Sequence, residues 1–257
     1  MGKALLSIFG KGTPAPGVVS GRTLFVPGAS AASIPAPITV ATQSATQSAR
    51  SAPRPRLVFA VDATESREAT WRAAKQLTDV LLAALPGELD VALAVHGGNR
   101  LHTFTKFTSD AGALRNRAAS VRCEMGYTRL LDILARVLET EGVSVVCYVG
   151  DAYEESARRG YKLAESLKAR GIRLIVLFDG AGWSDLDSHA AKVLAEMARR
   201  TGGALLPFDI TALPKLRDLL EAVAVLAVGD VPLLTARQDA MPAARLLLQH
   251  LGKDAAK

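Results

Sequence analysis

The sequence predicts an open α/β fold: a mostly parallel, doubly wound sheet of about six strands, with helices on both faces and one antiparallel edge strand. Short apolar runs alternate with helix-length segments from Leu57 onward. This alternation is typical of parallel strands joined by crossover helices. The stretch HGGN at 96–99 instead joins two runs by a short glycine-containing turn. Such a turn predicts a hairpin, and hence one antiparallel strand.

Most of the predicted strands are short and apolar, and each ends at turn residues or at the start of a helical pattern. Continuous apolar runs of this length are expected where both faces of a parallel sheet are covered. The six runs lie at 57–61, 89–95, 101–107, 143–151, 172–180 and 204–208.

The predicted helices show apolar residues at spacings of three and four. Proline or glycine ends several of them, as at the Pro-Gly pair of 86–87 and at Gly142. The helical segments lie at 66–85, 110–120, 128–142, 155–171, 184–203 and 213–228.

Composition divides the chain into an N-terminal arm at 1–56, a folded domain at 57–229 and a C-terminal tail at 230–257. The arm is rich in Ala, Ser, Pro and Thr, which predicts disorder because such a segment buries too little apolar surface. The tail holds PAARLLLQHL at 242–251, a short amphipathic helix that either packs on the domain or docks to a partner.

The net charge of +6 belongs to the arm rather than to the domain. Residues 1–56 hold six Lys and Arg and no acidic residue, whereas the whole chain has 31 basic and 25 acidic residues. Residues 57–257 are therefore neutral. Six cations spread over the arm make a poor nucleic-acid motif, so nucleic acid is not an expected partner.

The positions of the cysteines and the lengths of the apolar runs argue against a disulfide-rich, zinc-binding, membrane-spanning or secreted protein. Cys147 lies in an apolar run, and Cys123 has no Cys or His at metal-ligand spacing, so neither a disulfide framework nor a zinc site is indicated. No apolar run approaches the roughly 18–20 residues that span a bilayer. The apolar stretch near the start of the sequence is too short for a secretory signal. We therefore expect a cytoplasmic protein.

Polar side chains follow the apolar strands where these end. Asp62, Thr64 and Ser66 come directly after the first strand, and Asp151 follows the fourth. Thr128 lies near the start of a predicted helix between the third and fourth strands. Ligands of open α/β sheets bind outside the carboxyl ends of the strands, so we expect these five side chains to meet there.

The oxygen atoms of these five residues suit a hard divalent cation. Mg²⁺ takes about six oxygen ligands in an octahedron, usually one or two carboxylates completed by neutral oxygens and waters. Asp62 and Asp151 supply the carboxylates, and the three hydroxyl residues supply neutral oxygens. We therefore expect a Mg²⁺ or Mn²⁺ site that leaves one position open for an acidic side chain of a partner.

This pattern resembles the metal-ion-dependent adhesion site of the von Willebrand factor type A domain, which has the form D-x-S-x-S … T … D. The resemblance spans about 57–229 and includes the order of the elements and the hairpin. The sequence departs from the family pattern at Thr64, where Ser is commoner, and at VGDAYEES (149–156), where many members have T-D-G.

The resemblance implies a metal-dependent protein–protein interaction module of the intracellular bacterial type, and not an enzyme. It implies an adaptor whose protein partner offers an Asp or Glu to the metal, in an ATPase-chaperone, stress-response or assembly complex. Three side chains near the expected ligands are predicted to contact that partner: Tyr127, Tyr153 and Glu154.

Other interpretations fit the same residues. Thr64, Ser66 or Thr128 can act only as helix N-caps, and Asp151 can be a loop aspartate without a ligand role. The domain would then be a metal-free scaffold. Asp62 at the end of the first strand also permits an aspartate-nucleophile phosphohydrolase of the haloacid dehalogenase type. Against this alternative, Thr64 stands where that group usually has its second acid.

Overall fold

The computed structural model describes residues 53–65, 80–84, 87–179, 188–208 and 213–253. These residues belong to one compact unit, Ala49–Lys257. The predicted N-terminal arm up to residue 52, and most of the helix predicted at 66–85, lie outside the described residues.

Six strands form a single sheet. In chain order they are β1 Arg56–Asp62, β2 Asp90–Gly97, β3 Arg100–Phe104, β4 Val143–Gly150, β5 Arg173–Asp179 and β6 Ala204–Phe208. Across the sheet the order is β3-β2-β1-β4-β5-β6. Strand β3 pairs with β2 in the antiparallel sense, and every other neighbouring pair is parallel. The predicted fold class is therefore confirmed.

Helices connect the strands. In the described part of the chain they are α1 Val80–Ala83, α2 Ala111–Ser120, α3 Leu130–Leu138, α4 Ala157–Ala169, α5 His189–Thr201, α6 Leu213–Arg237 and α7 Pro242–His250. Three of them begin after a side chain that accepts a backbone N–H of the first turn: Asp110 for α2, Ser156 for α4 and Ser188 for α5. These caps satisfy donors that the helix itself leaves unpaired, and so they define where the helices start.

The helices cover both faces of the sheet, and each face carries its own apolar core. Leu57, Phe59 and Val61 of β1 belong to one core, together with side chains of α2, α6 and α7. Val58 and Ala60 belong to the other, together with side chains of α3, α4 and α5. Because successive residues of a strand point to opposite faces, both sets must be apolar. This requirement explains why the strand reads as one continuous apolar run.

Helix α6 consists of two helical stretches that meet at a kink. The apolar pattern predicts an end at Val228, and the backbone does leave the helical conformation at Asp230, after which further helical turns continue to Arg237. Asp230 has a φ of 50°, and its carboxylate accepts two hydrogen bonds from Arg173, at 2.9 and 3.2 Å. Pro232 then lies in the first turn after the kink, where its missing N–H costs little. The ion pair holds the kink, and the chain resumes its helical path beyond it.

Among the described helices, α6 is long and apolar enough to cross a bilayer by length and composition. This corrects the expectation that no segment approaches that length. Half of its most apolar window is buried in the domain, where Leu216, Leu220 and Val223 pack in the core. A helix that covers one face of a sheet needs an apolar side, so packing in the core accounts for the apolar composition of α6.

The amphipathic segment of the tail packs on the domain. Helix α7 lies against α6 and β6. Its Ala243, Ala244 and Leu247 are buried in the core. The backbone N–H of Gly252 donates to the carbonyl of Gly203 at 2.7 Å and fixes the end of the helix. The choice between packing and docking, which the sequence left open, is therefore settled as packing for this helix.

Gly203 links α5 to β6 where two backbone segments pass very close together. A Cβ atom at Gly203 would lie 1.9 Å from the carbonyl oxygen of Leu174 in β5. We expect Gly203→Ala to lower the free energy of unfolding by about 3 kcal/mol or more, because backbone must move to admit the methyl group. Urea unfolding of the full chain measures this loss.

Gly171→Ala is the control for this substitution, since nothing lies within 4 Å of the added atom and only its φ of 72° is unfavourable. We expect a loss of about 1–2 kcal/mol from that backbone strain alone. Equal losses in the two variants would contradict the close approach at Gly203.

Candidate metal centre

The carboxyl ends of β1, β2 and β4 lie side by side, and this edge of the sheet carries the predicted site. Asp62, the last residue of β1, pairs in register with His96 of β2. Val61 pairs with Val149 of β4, and Asp151 follows that strand directly. The two predicted carboxylate ligands therefore leave neighbouring strands at the same edge.

Asp62 is almost completely buried, with 1% of its surface exposed. Its Oδ1 accepts a hydrogen bond from the backbone N–H of Thr64 at 2.9 Å, which folds the chain into a tight turn. Ala63 lies between Asp62 and Thr64. The backbone N–H of Ala63 donates to the carbonyl of His96, and the carbonyl of Ala63 accepts from the N–H of Glu124. The segments on either side thus fix the turn.

His96 is a buried neighbour of Asp62 that the sequence pattern did not indicate. Its Nδ1 lies 3.9 Å from Asp62 Oδ1 and accepts the backbone N–H of Arg129 at 3.2 Å. Burial, and more weakly the charge of His102, lowers the pKa of His96 to about 3, so the ring is neutral. Its proton therefore belongs on Nε2, 3.2 Å from the hydroxyl of Tyr148. In the sequence, the sign of this role is the position of His96 directly after the apolar run at 89–95.

Thr128 is fastened to Glu154 by two hydrogen bonds. The N–H of Thr128 donates to Glu154 Oε2, and the N–H of Glu154 donates to Thr128 Oγ1, both at 3.0 Å. Thr128 stands two residues before α3, whose N-cap is Arg129 without a side-chain cap bond. Thr128 is therefore not the cap of that helix. Its hydroxyl oxygen has two acceptor lone pairs, so one bond from Glu154 leaves it able to bind a cation.

The start of α3 is capped from another loop. Glu155 accepts the N–H of Leu131 through both carboxylate oxygens, at 3.1 and 3.3 Å. Burial is the main cause that raises the pKa of Glu155 to about 7, helped by the charge of Asp132 and opposed by its backbone hydrogen bonds. Together with Glu154, this residue ties the loop after β4 to the start of α3.

A cavity of about 240 Å³ lies among these residues. Two of the predicted hydroxyl ligands line it, and so does the residue that follows Asp151. The structure thus brings Thr64 and Thr128 to one place, although they are far apart in the sequence. The lining residues are Thr64, Glu65, Met125, Gly126, Thr128, Ala152 and Glu154.

The residues predicted to contact a partner lie in different surroundings. Tyr127 is exposed over 64% of its surface, and Glu154 is exposed and lines the cavity. Tyr153 is buried, with 5% exposed, and its hydroxyl donates to the carbonyl of Ser156 at 3.1 Å. Met125 was not indicated by the sequence, yet it is 77% exposed and lines the cavity.

The donor set fits a hard divalent cation, because every predicted ligand atom is an oxygen. Asp62, Asp151, Thr64 and Thr128 lie at this edge, and Ser66 lies outside the described residues. In the described part of the chain, no group of three His, Cys, Asp or Glu side chains is arranged to hold a metal. A cation here would accordingly depend on hydroxyl and water ligands beside two carboxylates.

Comparison with solved structures identifies the fold. The von Willebrand factor type A protein from Catenulispora acidiphila superposes with a TM-score of 0.52 at 15% identity, over 68% of this chain and 44% of that one. The chain has the von Willebrand factor type A fold. BatB from Bacteroides thetaiotaomicron gives a TM-score of 0.50 at 19% identity, over 63% of this chain and 95% of that one.

A third similar structure is proximal thread matrix protein 1 from the mussel byssus, described with a zinc-occupied MIDAS motif, the metal-ion-dependent adhesion site. It superposes with a TM-score of 0.52 at 17% identity, over 66% of this chain and 46% of that one. No protein-family model and no curated protein matches the sequence. Identities this low establish the fold, so the resemblance inferred from the residues is confirmed for the fold, and the ligand roles stay predictions.

Glu155 gives the domain a pH-dependent stability that a glutamine would remove. Because its pKa is raised from 4.5 to about 7, the folded state binds the proton more tightly than the unfolded state does. Its contribution to stability is full below pH 4.5 and is lost as the pH rises through 7. The unfolding free energy of the wild type should therefore fall between pH 5 and pH 8. We expect Glu155→Gln to reduce this fall by about 1–2 kcal/mol, a figure that allows for solvent screening of the charge.

Urea unfolding of the full chain at pH 5 and pH 8 measures the difference. Glu139→Gln is the control, since Glu139 is exposed at the end of α3 and pairs with Arg136 on the surface. A pH dependence that is the same in Glu155→Gln as in the wild type would show that the Glu155 pKa is not raised.

Proposed function

We propose that the domain is a metal-dependent protein-interaction module in which Asp62, Thr64, Ser66, Thr128 and Asp151 hold a Mg²⁺ or Mn²⁺ ion. The observation that carries the proposal is that Thr64 and Thr128 line one cavity, beside the strand ends that bear the two aspartates. Bound there, the cation would link the domain to an Asp or Glu of a protein partner. The von Willebrand factor type A fold supports an interaction module over the phosphohydrolase alternative.

The burial of Asp62 supports a cation at this edge. A carboxylate with 1% of its surface exposed has lost its hydration, and nearby positive charge offsets that cost. His96 lies beside it with a neutral ring. A divalent cation at this edge would add positive charge next to the carboxylate.

The two described hydroxyl residues are held in fixed positions before any ligand arrives. The backbone N–H of Thr64 donates to the carboxylate of Asp62. Thr128 is hydrogen-bonded to Glu154 through both its N–H and its Oγ1. Fixed ligand residues lose little conformational entropy on binding. This preorganisation supports the assignment of both as ligands.

The exposed rim of the cavity supports a protein partner. Met125 and Tyr127 are the two most exposed large apolar side chains of the described residues, and Met125 lines the cavity itself. Aromatic side chains often carry much of the binding energy of an interface. We propose that a partner inserts an Asp or Glu into the cavity and packs its flanking residues on Met125 and Tyr127.

The proposed cellular context follows from the resemblance. We propose an adaptor in a cytoplasmic complex, with an ATPase chaperone or a stress-response assembly as the class of partner. The burial of Tyr153 restricts the proposed partner contacts to Tyr127 and Glu154 from the predicted set, together with Met125.

Metal binding is the first expected outcome. Calorimetric titration of the full chain with Mg²⁺ and Mn²⁺ should give dissociation constants of roughly millimolar or tighter. Asp62→Asn and Asp151→Asn should each abolish the binding, because each removes one negative charge while keeping the size of the side chain. Circular dichroism of each variant checks that the fold is intact.

Asp239→Asn is the control, since Asp239 is exposed in the turn before α7 and pairs with Arg245 there. It should bind the metals as the wild type does. No binding by the wild type, or equal binding by all the variants, would contradict the proposed site.

Partner binding is the second expected outcome. Proteins retained by the immobilised full chain in Mg²⁺ should be released by EDTA. Tyr127→Ala should weaken retention about tenfold without changing metal binding, because it removes an exposed aromatic contact. Leu246→Ala on α7 is the control, since Leu246 is another exposed apolar side chain. Retention that persists in EDTA would instead favour the metal-free scaffold.

A further inference from the structure

Glu154 brings an acidic group of the chain itself into the cavity proposed for the partner's acid. It lines that cavity together with Thr64 and Thr128. Its Oε2 accepts the N–H of Thr128, and its own N–H donates to Thr128 Oγ1, both at 3.0 Å. The carboxylate is therefore held next to a proposed ligand residue.

The two carboxylate oxygens of Glu154 differ in their surroundings. Oε2 is anchored on Thr128, whereas no hydrogen bond or ion pair joins Oε1 to any residue that the structure describes. The neighbouring Glu155 provides a contrast, since both of its oxygens are engaged by the N–H of Leu131. Glu155 acts as a helix cap with both oxygens, and Glu154 keeps one oxygen for another ligand.

We propose that Glu154 is an internal acidic ligand that occupies the position otherwise open to a partner's acid, so that a partner must displace it to bind. The inference rests on the proposed metal-dependent function and adds a control of access to the same site. A carboxylate tethered within the cavity competes at a high effective concentration. A partner that offers only an acid binds weakly, and one that also packs on Tyr127 gains the energy to displace Glu154.

The balance of charge favours this competition. Asp62 and Asp151 together neutralise a divalent cation, and Glu154 and Glu65, which both line the cavity, add further negative charge. A carboxylate that arrives from a partner then meets net negative charge, which disfavours its binding. Without the charge of Glu154, the same carboxylate meets a less negative site.

A simpler role for Glu154 would be to position Thr128. Glu154→Gln separates the two roles, because glutamine keeps an oxygen that accepts the Thr128 N–H and loses only the negative charge. A positioning role is preserved in this variant, whereas competition with acids is lost.

The test uses the full chain with Mn²⁺ as the metal probe and acetate as the probe for a carboxylate. Water-proton relaxation reports how many water molecules remain on the bound Mn²⁺. We expect Glu154→Gln to bind Mn²⁺ roughly tenfold more weakly and to carry more water on it. Acetate should displace that water at a concentration about tenfold lower than in the wild type.

Glu139→Gln removes one exposed negative charge far along α3 and should match the wild type in all three readings. Unchanged water content and acetate sensitivity in Glu154→Gln would overturn the inference and leave Glu154 as a positioning residue. If the wild type binds no Mn²⁺, the proposed function itself fails, and this inference fails with it. The two failures are therefore distinguishable.

Discussion

Strand β1 is paired on both sides along its length, and the rest of the domain is arranged around this double pairing. The segment from Leu57 to Ala63 is at most 1% exposed at every residue. Backbone groups so deeply buried need β2 and β4 as hydrogen-bond partners. Because β1 cannot shift without breaking both ladders, Asp62 at its end is fixed beside His96 and next to the end of β4.

The candidate site is built from contacts between loops rather than from any one element. The turn at Asp62 is tied to the end of β2, and the loop after β4 is tied to the start of α3 through Glu154 and Glu155. Acidic side chains form several of these ties. The same concentration of carboxylates that orders the loops makes this edge favourable for a cation and unfavourable for a further acid.

Much of the fold was predictable because it depends on a pattern rather than on particular residues. Similar structures share only 15–19% identity with this chain, yet they keep the same arrangement. What the arrangement requires is apolar strands buried on both faces and helices with one apolar side. The pattern did not indicate the helical turns between Asp230 and Arg237, which follow a kink that the Arg173–Asp230 ion pair holds.

The sequence by itself determined the order and type of the elements and the polar residues at the strand ends, since both follow from local spacing. Only the tertiary structure decided that His96 lies beside Asp62 and that Glu154 shares a cavity with Thr128. The residues that make such contacts are far apart in the chain: Thr128 and Glu154 are separated by 26 positions, and the Arg129–His96 bond spans 33. Periodicity reports on neighbours within a few residues, whereas contacts across loops are decided by how the strands pair and the helices pack.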